Sequence, residues 1–517
     1  MAGTVTDDDS ASPAPSPLSP LDWLMPRTYI RQMLCFPILP TTTSPAAGQS
    51  VSSKSEIVWT LPDGLAATAA QVPCLLSRVV SLARPHGAVG LSAPYQSVDS
   101  LFDIRDVSRE YNYAALRDRG FPPDVLGRGG FAPEMAVGAK SEAHGRDEKP
   151  VFRARLSLVE GGFILGVAIH HSTTDITGFG ALLKVWAANC RRLRDGGGDV
   201  DPTKLKDGLV NAAMLNRAAV RELGLGVADS DMPKTIPSVL FFQDGEPVPK
   251  PATTKPQPVF MTAIFRFSSD SLTEIKALAM DWLPSVAADV PWVSTGDVLT
   301  ALLWSAVVAA EGPPPSTPSS HDDATSSTIS IPVNFRARCE PPLSPDYLGA
   351  AFGRAAVSAP IHELVSMAAL SNYPAGDRQQ KKQAEVDIAE KATLLAKTAA
   401  AIRRAITDQV NARRIRAAVA YTTSRPDIAA MKRRPAEGIF MVSWADQGIC
   451  ALDWGCAEVG RCDAVRLGKM PGRRYPIVLP RLQDGGLEVI VSLETAAMER
   501  FRKVSFVRQS SDLRCLV

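Results

Sequence analysis

The sequence predicts an α/β or α+β protein in which two packed domains follow one another along the chain. Strand-like and helix-like apolar patterns mix in both halves, which is typical of sheets covered by helices. The stretch from Gly224 to Pro258 is rich in Asp, Pro, Lys and Thr and holds one apolar cluster, which favours a linker. The predicted parts are a disordered tail over residues 1–17, an N-terminal domain over 18–225, a linker over 226–258 and a C-terminal domain over 259–517.

The composition excludes several classes of partner. The chain has 517 residues, of which 45% are hydrophobic and 21% are charged, and its formal net charge is +2. So small a net charge gives no field that would attract a nucleic acid or an anionic membrane. The eight cysteines are too few for a disulfide scaffold and form no Cys-x-x-Cys pair. We therefore expect a cytoplasmic protein without a nucleic-acid partner and without a metal. We also expect the protein to be a monomer.

No segment of the sequence predicts targeting to a membrane or insertion into one. The first residues are acidic and rich in Pro and Ser, unlike the basic and apolar regions of a signal peptide. The longest nearly apolar stretch, Val298–Ala310, is shorter than the roughly 20 residues that cross a bilayer. This stretch is predicted to be a buried core helix.

Apolar periodicity predicts the elements of the first half. The segment Ile57–Val79 suggests a short strand, a turn at Pro62 and an amphipathic helix. The runs Val151–Leu158 and Phe163–Ile169 flank a Glu-Gly-Gly turn and predict a hairpin whose second strand is buried on both faces. Apolar residues at helical spacing from Phe179 to Arg194 predict the helix that follows.

Similar patterns predict the remaining elements. Ser294 and Asp297 have the Ser-x-x-Asp spacing at which a hydroxyl and a carboxylate cap the first turn of a helix. The other predictions are a helix over Leu209–Leu223, a strand over Met261–Phe267, a helix from Ser271, a long helix over about Gln383–Arg416, and a hairpin of Tyr475–Leu482 with Leu487–Leu493.

The segment GVAIHHSTTDITGFG holds the strongest candidate for chemistry. A buried strand brings His170 and His171 to its C-terminal end, and a helix begins just after Asp175. Because successive strand residues point to opposite faces, only one of the two imidazoles can face a given pocket, and the other would support the strand. A neutral histidine can accept a proton from a hydroxyl or amine while that group attacks an electrophile.

Other interpretations of the histidine pair stay open on residue chemistry alone. A histidine at the end of an apolar strand can be a hydrogen-bonded core residue without a catalytic role. Zinc finds little support, because adjacent histidines differ from the i, i+4 pair of a metalloprotease and no carboxylate or cysteine lies at a ligating offset. A serine nucleophile finds little support either, because the chain contains no G-x-S-x-G elbow.

Five motifs give the chain a resemblance to a known family. His171-Ser-Thr-Thr-Asp175 fits the H-x-x-x-D element of the BAHD-type, coenzyme A-dependent acyltransferases, in which a doubled histidine is frequent. The chain as a whole resembles the fungal branch that includes the trichothecene 3-O-acetyltransferases and hydroxycinnamoyl-transferase-like proteins. The other four stretches, in the expected order, are LSPLDWLMPRTYIRQMLCF, Ser294-Thr-Gly-Asp297 before VLTALLW, Val333-Asn-Phe-Arg-Ala-Arg338 with Pro345-Asp-Tyr-Leu-Gly349, and Ser443-Trp444 before Asp453-Trp454-Gly455.

The resemblance implies two chloramphenicol-acetyltransferase-like domains, each with a mixed sheet, and a channel between them. Acyl-CoA, most simply acetyl-CoA, and a small alcohol of secondary metabolism would enter as the two substrates, with no bound cofactor. His171 would be the general base that deprotonates the acceptor. The acyl group would pass directly to the acceptor, without an acyl-enzyme.

The resemblance also implies supporting residues. Asp175 would turn away from the channel toward an arginine, for which Arg336 and Arg338 are the candidates. The Asp453-Trp454-Gly455 element resembles the D-F-G-W-G motif, which shapes the domain away from the catalytic histidine. Trp444, together with Ser443, is a candidate for the acceptor side, and the indole N–H of Trp444 is a candidate donor to the oxyanion.

Four positions depart from the family's pattern. Ile176 stands where glycine is usual, Gly296 and Ala350 stand where asparagine is common, and Cys456-Ala457 replaces Trp-Gly. Each change removes a small or hydrogen-bonding residue near the domain interface. The departures therefore leave two outcomes open, a reshaped pocket or a reduced activity.

Two further functions stay open at this point. A freestanding condensation domain shares the H-H-x-x-x-D core and forms amides between carrier-bound substrates, although no carrier or adenylation domain adjoins it in this chain. A catalytically inactive relative would keep the pocket and bind a small molecule without turnover.

Overall fold

A computed structural model describes residues 14–39, 53–135, 149–195, 208–243, 258–312, 326–370, 378–434, 438–456, 459–468 and 474–517. The strands are β1 (Ser16–Pro17), β2 (Tyr29–Pro37), β3 (Arg78–Ser81), β4 (Val89–Leu91), β5 (Phe102–Asp106), β6 (Lys149–Pro150), β7 (Phe152–Val159), β8 (Gly162–His170), β9 (Phe242–Gln243), β10 (Phe260–Phe267), β11 (Ser326–Asn334), β12 (Phe352–Pro360), β13 (Lys432–Arg433), β14 (Ile439–Phe440), β15 (Val442–Ser443), β16 (Ala464–Arg466), β17 (Arg474–Val478), β18 (Leu487–Glu494) and β19 (Asp512–Leu516). The helices are α1 (Pro20–Trp23), α2 (Ser53–Gln71), α3 (Tyr113–Asp118), α4 (Pro123–Arg128), α5 (Ile176–Asp195), α6 (Ala212–Leu215), α7 (Ala218–Leu223), α8 (Ser269–Val286), α9 (Thr295–Glu311), α10 (Ile361–Ala368), α11 (Arg378–Gln409), α12 (Ala412–Thr423), α13 (Thr495–Phe501) and α14 (Ser505–Ser510).

Strand β8 lies at the centre of the N-terminal sheet, whose order is β16-β2-β8-β7-β5. It pairs antiparallel with β7, and with β2 from Tyr29 opposite His170 to Pro37 opposite Gly162. Every residue of β8 is buried, as its continuous apolar run predicts. The predicted hairpin is confirmed, and its second strand ends at His170.

Helices α2 and α5 pack together beside this sheet. The predicted helix over Phe179–Arg194 is confirmed, since α5 spans Ile176–Asp195. The strand and turn predicted near Pro62 are wrong, because α2 continues through this proline. Leu61 is buried, and its carbonyl accepts a hydrogen bond from Trp186 Nε1 of α5 at 2.9 Å. This packing outweighs the local cost of a proline within a helix.

The second half builds a five-stranded sheet of order β15-β17-β18-β10-β19 and a three-stranded sheet of order β12-β11-β14. Helix α9 is buried along nearly its whole length and contacts α8, α10, α11 and α13, which agrees with its apolar sequence. The predicted cap is confirmed: Ser294 Oγ accepts from the Asp297 N–H at 3.1 Å, and Asp297 Oδ2 accepts from the Ser294 N–H at 2.7 Å. The predicted hairpin of β17 with β18 is confirmed as well.

Two predicted helices are each divided in the structure. The helix over Leu209–Leu223 is present as α6 and α7, and the helix over Gln383–Arg416 is present as α11 and α12. Asn211 and Asn411 lie in extended conformation, and each side chain accepts a hydrogen bond from a backbone N–H three residues later. An asparagine that can cap a new helix competes with continuation of the preceding one.

The predicted tail and linker lie partly outside the described residues. Residues 1–13 and 244–257 are not described, whereas Ser16–Pro17 pair with β4. The apolar cluster of the linker ends in β9, in which Phe242 pairs with Arg433 of β13.

The second half of the chain contributes one strand to the N-terminal sheet. Strand β16 comes from the second half and pairs with β2 at the edge of the N-terminal sheet. Arg466 of β16 makes two hydrogen bonds, of 2.5 and 3.0 Å, to the carboxylate of Glu488 in β18 of the C-terminal sheet. Strand β16 and Arg466 thus connect the N-terminal sheet to the C-terminal sheet.

The buried ion pair between the sheets generates a prediction about stability. The side chains of Arg466 and Glu488 are 1% and 4% exposed. Glu488→Gln leaves the guanidinium buried without an opposite charge, and we expect a loss of about 3–5 kcal/mol. Thermal unfolding followed by circular dichroism measures the decrease. Asp289→Asn breaks an exposed pair with Arg404 and should leave the melting temperature unchanged; equal shifts in the two variants would contradict the expectation.

Candidate active site

The two histidines lie where the central strand gives way to a tight turn. His170 is the last residue of β8, and residues 171–173 form one turn of 3-10 helix before α5 begins. The backbone N–H of His171 donates to the Thr28 carbonyl at 2.8 Å, which ties the turn to the start of β2. The position of His171 is therefore set by the backbone of the central sheet.

The His171 ring has one nitrogen engaged with the protein. Nδ1 lies 3.1 Å from the Thr174 carbonyl, which can only accept, so the geometry assigns the proton to Nδ1. Within the described part of the chain, no hydrogen bond involves Nε2. Desolvation lowers the pKa of His171 below its ordinary value, and the charge of Arg433 lowers it further, against the opposing effects of Thr174 and Asp175. The neutral imidazole thus presents an unprotonated Nε2.

The His170 ring belongs to the core. This residue is 1% exposed, and Nδ1 accepts a hydrogen bond from the Ser172 N–H at 3.2 Å. The edge of the ring meets Tyr29, with ring centroids 5.2 Å apart. Desolvation, together with the nearby charges of Arg27 and Lys149, lowers the pKa of His170 to about 3. The His170 ring is therefore neutral, and it stabilises the turn by accepting the hydrogen bond from the Ser172 N–H.

Asp175 is buried at the start of α5 and accepts four hydrogen bonds. Its Oδ1 accepts from the Gly178 N–H at 2.8 Å, which caps the helix. Arg336 donates to both carboxylate oxygens, at 2.8 and 2.9 Å, and the Ala351 N–H donates to Oδ2 at 2.8 Å. One carboxylate thus joins the histidine turn to two segments of the C-terminal half.

Of the two candidate arginines, Arg336 is the one that contacts Asp175. Its guanidinium is 2% exposed and also donates to the carbonyls of Tyr347 and Gly349, each at 2.8 Å. Arg338 lies two residues further on and makes no described contact with Asp175; its side chain is half-buried. The two arginines of the Asn-Phe-Arg-Ala-Arg stretch therefore have different surroundings.

A second buried carboxylate, Asp22, was not among the predicted site residues. It is 0% exposed, it caps α1 together with Ser19, and its Oδ1 accepts from the Ala350 N–H at 2.8 Å. Arg217 connects this carboxylate to the histidine turn, since it donates to Asp22 Oδ2 at 3.3 Å and to the Thr173 carbonyl at 2.8 Å. The Ser-x-x-Asp spacing in LSPLDW, the same spacing that predicts the cap of α9, is the signal that could have found Asp22.

The structure describes the residues that depart from the family's pattern, with the exception of Ala457. Ile176 begins α5, and Gly296 lies in the first turn of α9, where a Cβ would lie 3.5 Å from Ser294 Oγ, an ordinary van der Waals contact. Ala350 meets Asp22 through its backbone N–H, so an alanine there keeps this hydrogen bond. A Cβ on Gly178 would lie 2.5 Å from the Leu348 carbonyl, so glycine is required two residues after Ile176. Ala457 lies outside the described residues.

Trp444 and Ser443 lie on the C-terminal side of the fold. Ser443 ends β15 and is exposed, whereas Trp444 is half-buried against a cluster that includes Ile264 and Leu479. The turn that follows Trp444 packs on α5. In that turn, the side-chain oxygen of Gln447 accepts a hydrogen bond from the side-chain amide of Gln32 in β2 at 2.9 Å. No described hydrogen bond or ring contact joins Trp444 to His171.

The Asp453-Trp454-Gly455 element anchors in the N-terminal core. The Trp454 ring meets Phe36 and Trp186 edge-on, with centroids 6.0 and 5.3 Å away. Gly455 has φ +81°, and a Cβ there would lie 2.8 Å from the Arg191 Cα. The structure places this element against α5 and does not bring it to His171 within the described contacts.

The described ranges contain neither a metal-binding cluster nor a membrane-spanning helix. No group of three or more His, Cys, Asp and Glu side chains there could hold a metal ion. None of the helices described combines the length and the apolar character needed to span a bilayer.

Comparison with known proteins places this geometry in a family. The sequence profile of the Transferase family matches residues 128–505, and that of the trichothecene 3-O-acetyltransferase-like N-terminal domain matches residues 29–190. The chain is 25% identical to eremophilane O-acetyltransferase prx11 of Penicillium rubens over 94% of its length and 95% of the relative's. It is 26% identical to trichothecene 3-O-acetyltransferase TRI101 of Fusarium sporotrichioides, over 90% of this chain and 92% of that protein.

Solved structures establish the fold. The structure of F. graminearum TRI101 with coenzyme A and deoxynivalenol matches with a TM-score of 0.69 at 19% identity, covering 97% of this chain and 100% of that one. Vinorine synthase matches with a TM-score of 0.56 at 15% identity, covering 98% and 96%. The expected two-domain, chloramphenicol-acetyltransferase-like fold is confirmed. Because the family profile covers well over half of the sequence, the chain belongs to the Transferase family, and the resemblance to trichothecene 3-O-acetyltransferases is confirmed.

Proposed function

We propose that this protein transfers an acetyl group from acetyl-CoA to a hydroxyl of a small secondary metabolite, with His171 as the general base. The observation that carries the proposal is the fixed tautomer of His171. Its Nδ1–H is held by the Thr174 carbonyl at 3.1 Å, and this leaves the lone pair of Nε2 for an incoming hydroxyl.

The chemistry requires no nucleophile from the protein. The acceptor hydroxyl gives its proton to Nε2 while its oxygen attacks the thioester carbonyl, which forms a tetrahedral intermediate. When the carbon–sulfur bond breaks, the coenzyme A sulfur leaves and takes the proton back from His171. No acyl-enzyme forms. Such proton transfer contributes roughly 10²–10⁴-fold to a rate.

The relatives support the choice of substrates. The two sequence relatives named above are O-acetyltransferases by name, and structures of F. graminearum TRI101 hold coenzyme A together with deoxynivalenol or with T-2 mycotoxin. We extend to this chain an acetyl donor carried by coenzyme A and an alcohol acceptor, which meet at His171 in a channel between the domains. Trp444 lines the acceptor side in this proposal, and the enzyme acts as a cytoplasmic monomer.

Asp175 has a positioning role in this proposal. Its carboxylate bonds to Arg336 and to the backbone of Gly178 and Ala351, so no acceptor lone pair is left to face a substrate. It fixes the turn that carries His171 relative to the C-terminal half, and His170 supports the same turn from the core.

Removal of the base should abolish most of the activity. We expect His171→Ala to lower the rate of thiol release from acetyl-CoA by roughly 10²–10⁴-fold, with deoxynivalenol and a panel of polycyclic alcohols as acceptors. His86→Ala is the matched control, because His86 is exposed and pairs with Asp427 at 2.9 Å. A His171→Ala enzyme with the wild-type rate would overturn the assignment. Turnover only with carrier-bound thioesters would favour a condensation enzyme, and ligand binding without turnover would favour an inactive relative.

The pH dependence should follow the neutral imidazole. The base acts only when unprotonated, that is, above its pKa, and desolvation sets the pKa of His171 below the ordinary value of about 6.5. We therefore expect kcat/KM to fall toward acidic pH along a limb whose midpoint lies below the ordinary value for histidine. A profile of initial rates in constant ionic strength tests this. An acid limb centred well above pH 7 would contradict the assignment.

Neutralising Asp175 should reduce stability and turnover together. Asp175→Asn keeps an oxygen for the Gly178 N–H but leaves the Arg336 charge buried and unpaired, at a cost of about 3–5 kcal/mol. Thermal unfolding and kcat are measured on the same preparation. Asp346→Asn breaks a pair with Lys184 that is 3.7 Å long and exposed, and should change neither quantity. Lost activity at full stability would assign Asp175 a direct chemical role instead.

A further inference from the structure

Each residue of the histidine turn has its own partner. Ser172 Oγ accepts from Arg27 at 2.7 Å, and the Thr173 carbonyl accepts from Arg217 at 2.8 Å. The Thr174 carbonyl accepts from the His171 ring, and Asp175 binds Arg336. In sequence, Thr173 therefore lies between His171 and Thr174, whose carbonyl is the only described hydrogen-bond acceptor of the His171 ring.

Arg217 reaches this carbonyl from the segment between α6 and α7. It is the N-cap residue of α7, and its side chain is 16% exposed. One guanidinium nitrogen donates to Thr173 and the other to Asp22 Oδ2 at 3.3 Å, so the planar fork spans two elements at once. The guanidinium of Arg217 therefore lies mostly in the protein interior and not on a solvated face.

Asp22 explains why a cation can be held there. The carboxylate is fully buried and supplies the opposite charge, and its remaining acceptor sites take Ser19 and the Ala350 N–H. Ala350 precedes Ala351, which donates to Asp175. Asp22 and Asp175 thus accept hydrogen bonds from the adjacent N–H groups of Ala350 and Ala351. Arg217, which pairs with Asp22, bonds to the turn at Thr173, and Arg336 bonds to Asp175 itself.

We propose that Arg217 and Asp22 are positioning residues for His171, acting through the Thr173 carbonyl. The carbonyl fixes the plane of the peptide between Thr173 and Thr174, and Thr174 in turn supplies the oxygen that holds Nδ1–H. Loss of the guanidinium frees this peptide, weakens the hold on the ring and lets the proton move to Nε2, where it blocks the base. The inference rests on the proposed role of His171, but it concerns the ring itself and can be measured without a substrate.

Histidine NMR tests the proposal directly. The chain has six histidines, so ¹⁵N-labelled imidazoles give few signals, and His171→Gln assigns the one of interest. In the wild type we expect the Nδ1–H tautomer at pH 8. Arg217→Gln should show both tautomers, and Arg217→Lys, which keeps the charge but loses the fork, should lie between. Arg221→Gln is the matched control, because Arg221 lies four residues along α7 and packs over the Trp23 ring, with no described contact to the turn.

Kinetics supply the second measurement. We expect Arg217→Gln to lower kcat on the order of 10- to 100-fold, as a small misplacement of a catalytic group does. The KM for acetyl-CoA should stay within about twofold, because no substrate contact is removed. Asp22→Asn should have a similar effect, and the double variant should be no slower than either single variant, because the two residues act as one unit.

The outcomes separate this inference from the proposed function. An unchanged tautomer in Arg217→Gln and Arg217→Lys, or a double variant with multiplied defects, overturns the positioning role. If the wild type releases no thiol with any alcohol while Arg217→Gln still changes the tautomer, the proposed reaction fails and the positioning role stands. If Arg217→Gln does not fold, the tautomer of Arg217→Lys decides.

Discussion

The buried pair of Asp175 with Arg336 is the interaction on which the rest of the site depends. Both side chains are almost fully removed from water, and such a pair is stable only when every remaining polar group has a partner. Here the backbone N–H groups of Gly178 and Ala351 donate to the remaining acceptor sites of the Asp175 carboxylate. The backbone carbonyls of Tyr347 and Gly349 accept hydrogen bonds from the Arg336 guanidinium. The pair can form only if α5 and the segment before β12 meet in one geometry. The position of the histidine turn therefore depends on a contact that tolerates little variation.

Elements of the second half that enter the N-terminal sheet and core connect the two halves at several points. Strand β16 completes the N-terminal sheet from the second half, Trp454 fills the core between Phe36 and Trp186, and Arg466 ties β16 to the C-terminal sheet. A seam held at several separate points does not open as a simple hinge, and a site along it is organised before substrate arrives. The orientation of the His171 ring is therefore set when the protein folds.

The sequence was sufficient to predict local features, but it did not identify which residues far apart in the chain contact one another. The hairpin follows from apolar runs, which are a local property. Strand alternation did not distinguish His170 from His171, and only the resemblance to a family singled out His171. Pro62 indicated a turn, but the packing of α2 on α5 overrides that preference. Arg336 and Arg338 share one motif, and only the three-dimensional path of the chain distinguishes the arginine that reaches Asp175. Asp22 escaped prediction for the same reason, since its capping pattern was legible but its contacts lie far away in sequence.

None of the described contacts that fix the turn uses Nε2 of His171, and this separation has an evolutionary consequence. In the proposed reaction, the residues that orient the base are held by buried hydrogen bonds, whereas the nitrogen that meets the acceptor takes part in none of them. Substitutions at residues that contact only the acceptor would then leave the proton acceptor in place. Under the proposed function, a lineage with this architecture can acquire new acceptors while it retains one reaction.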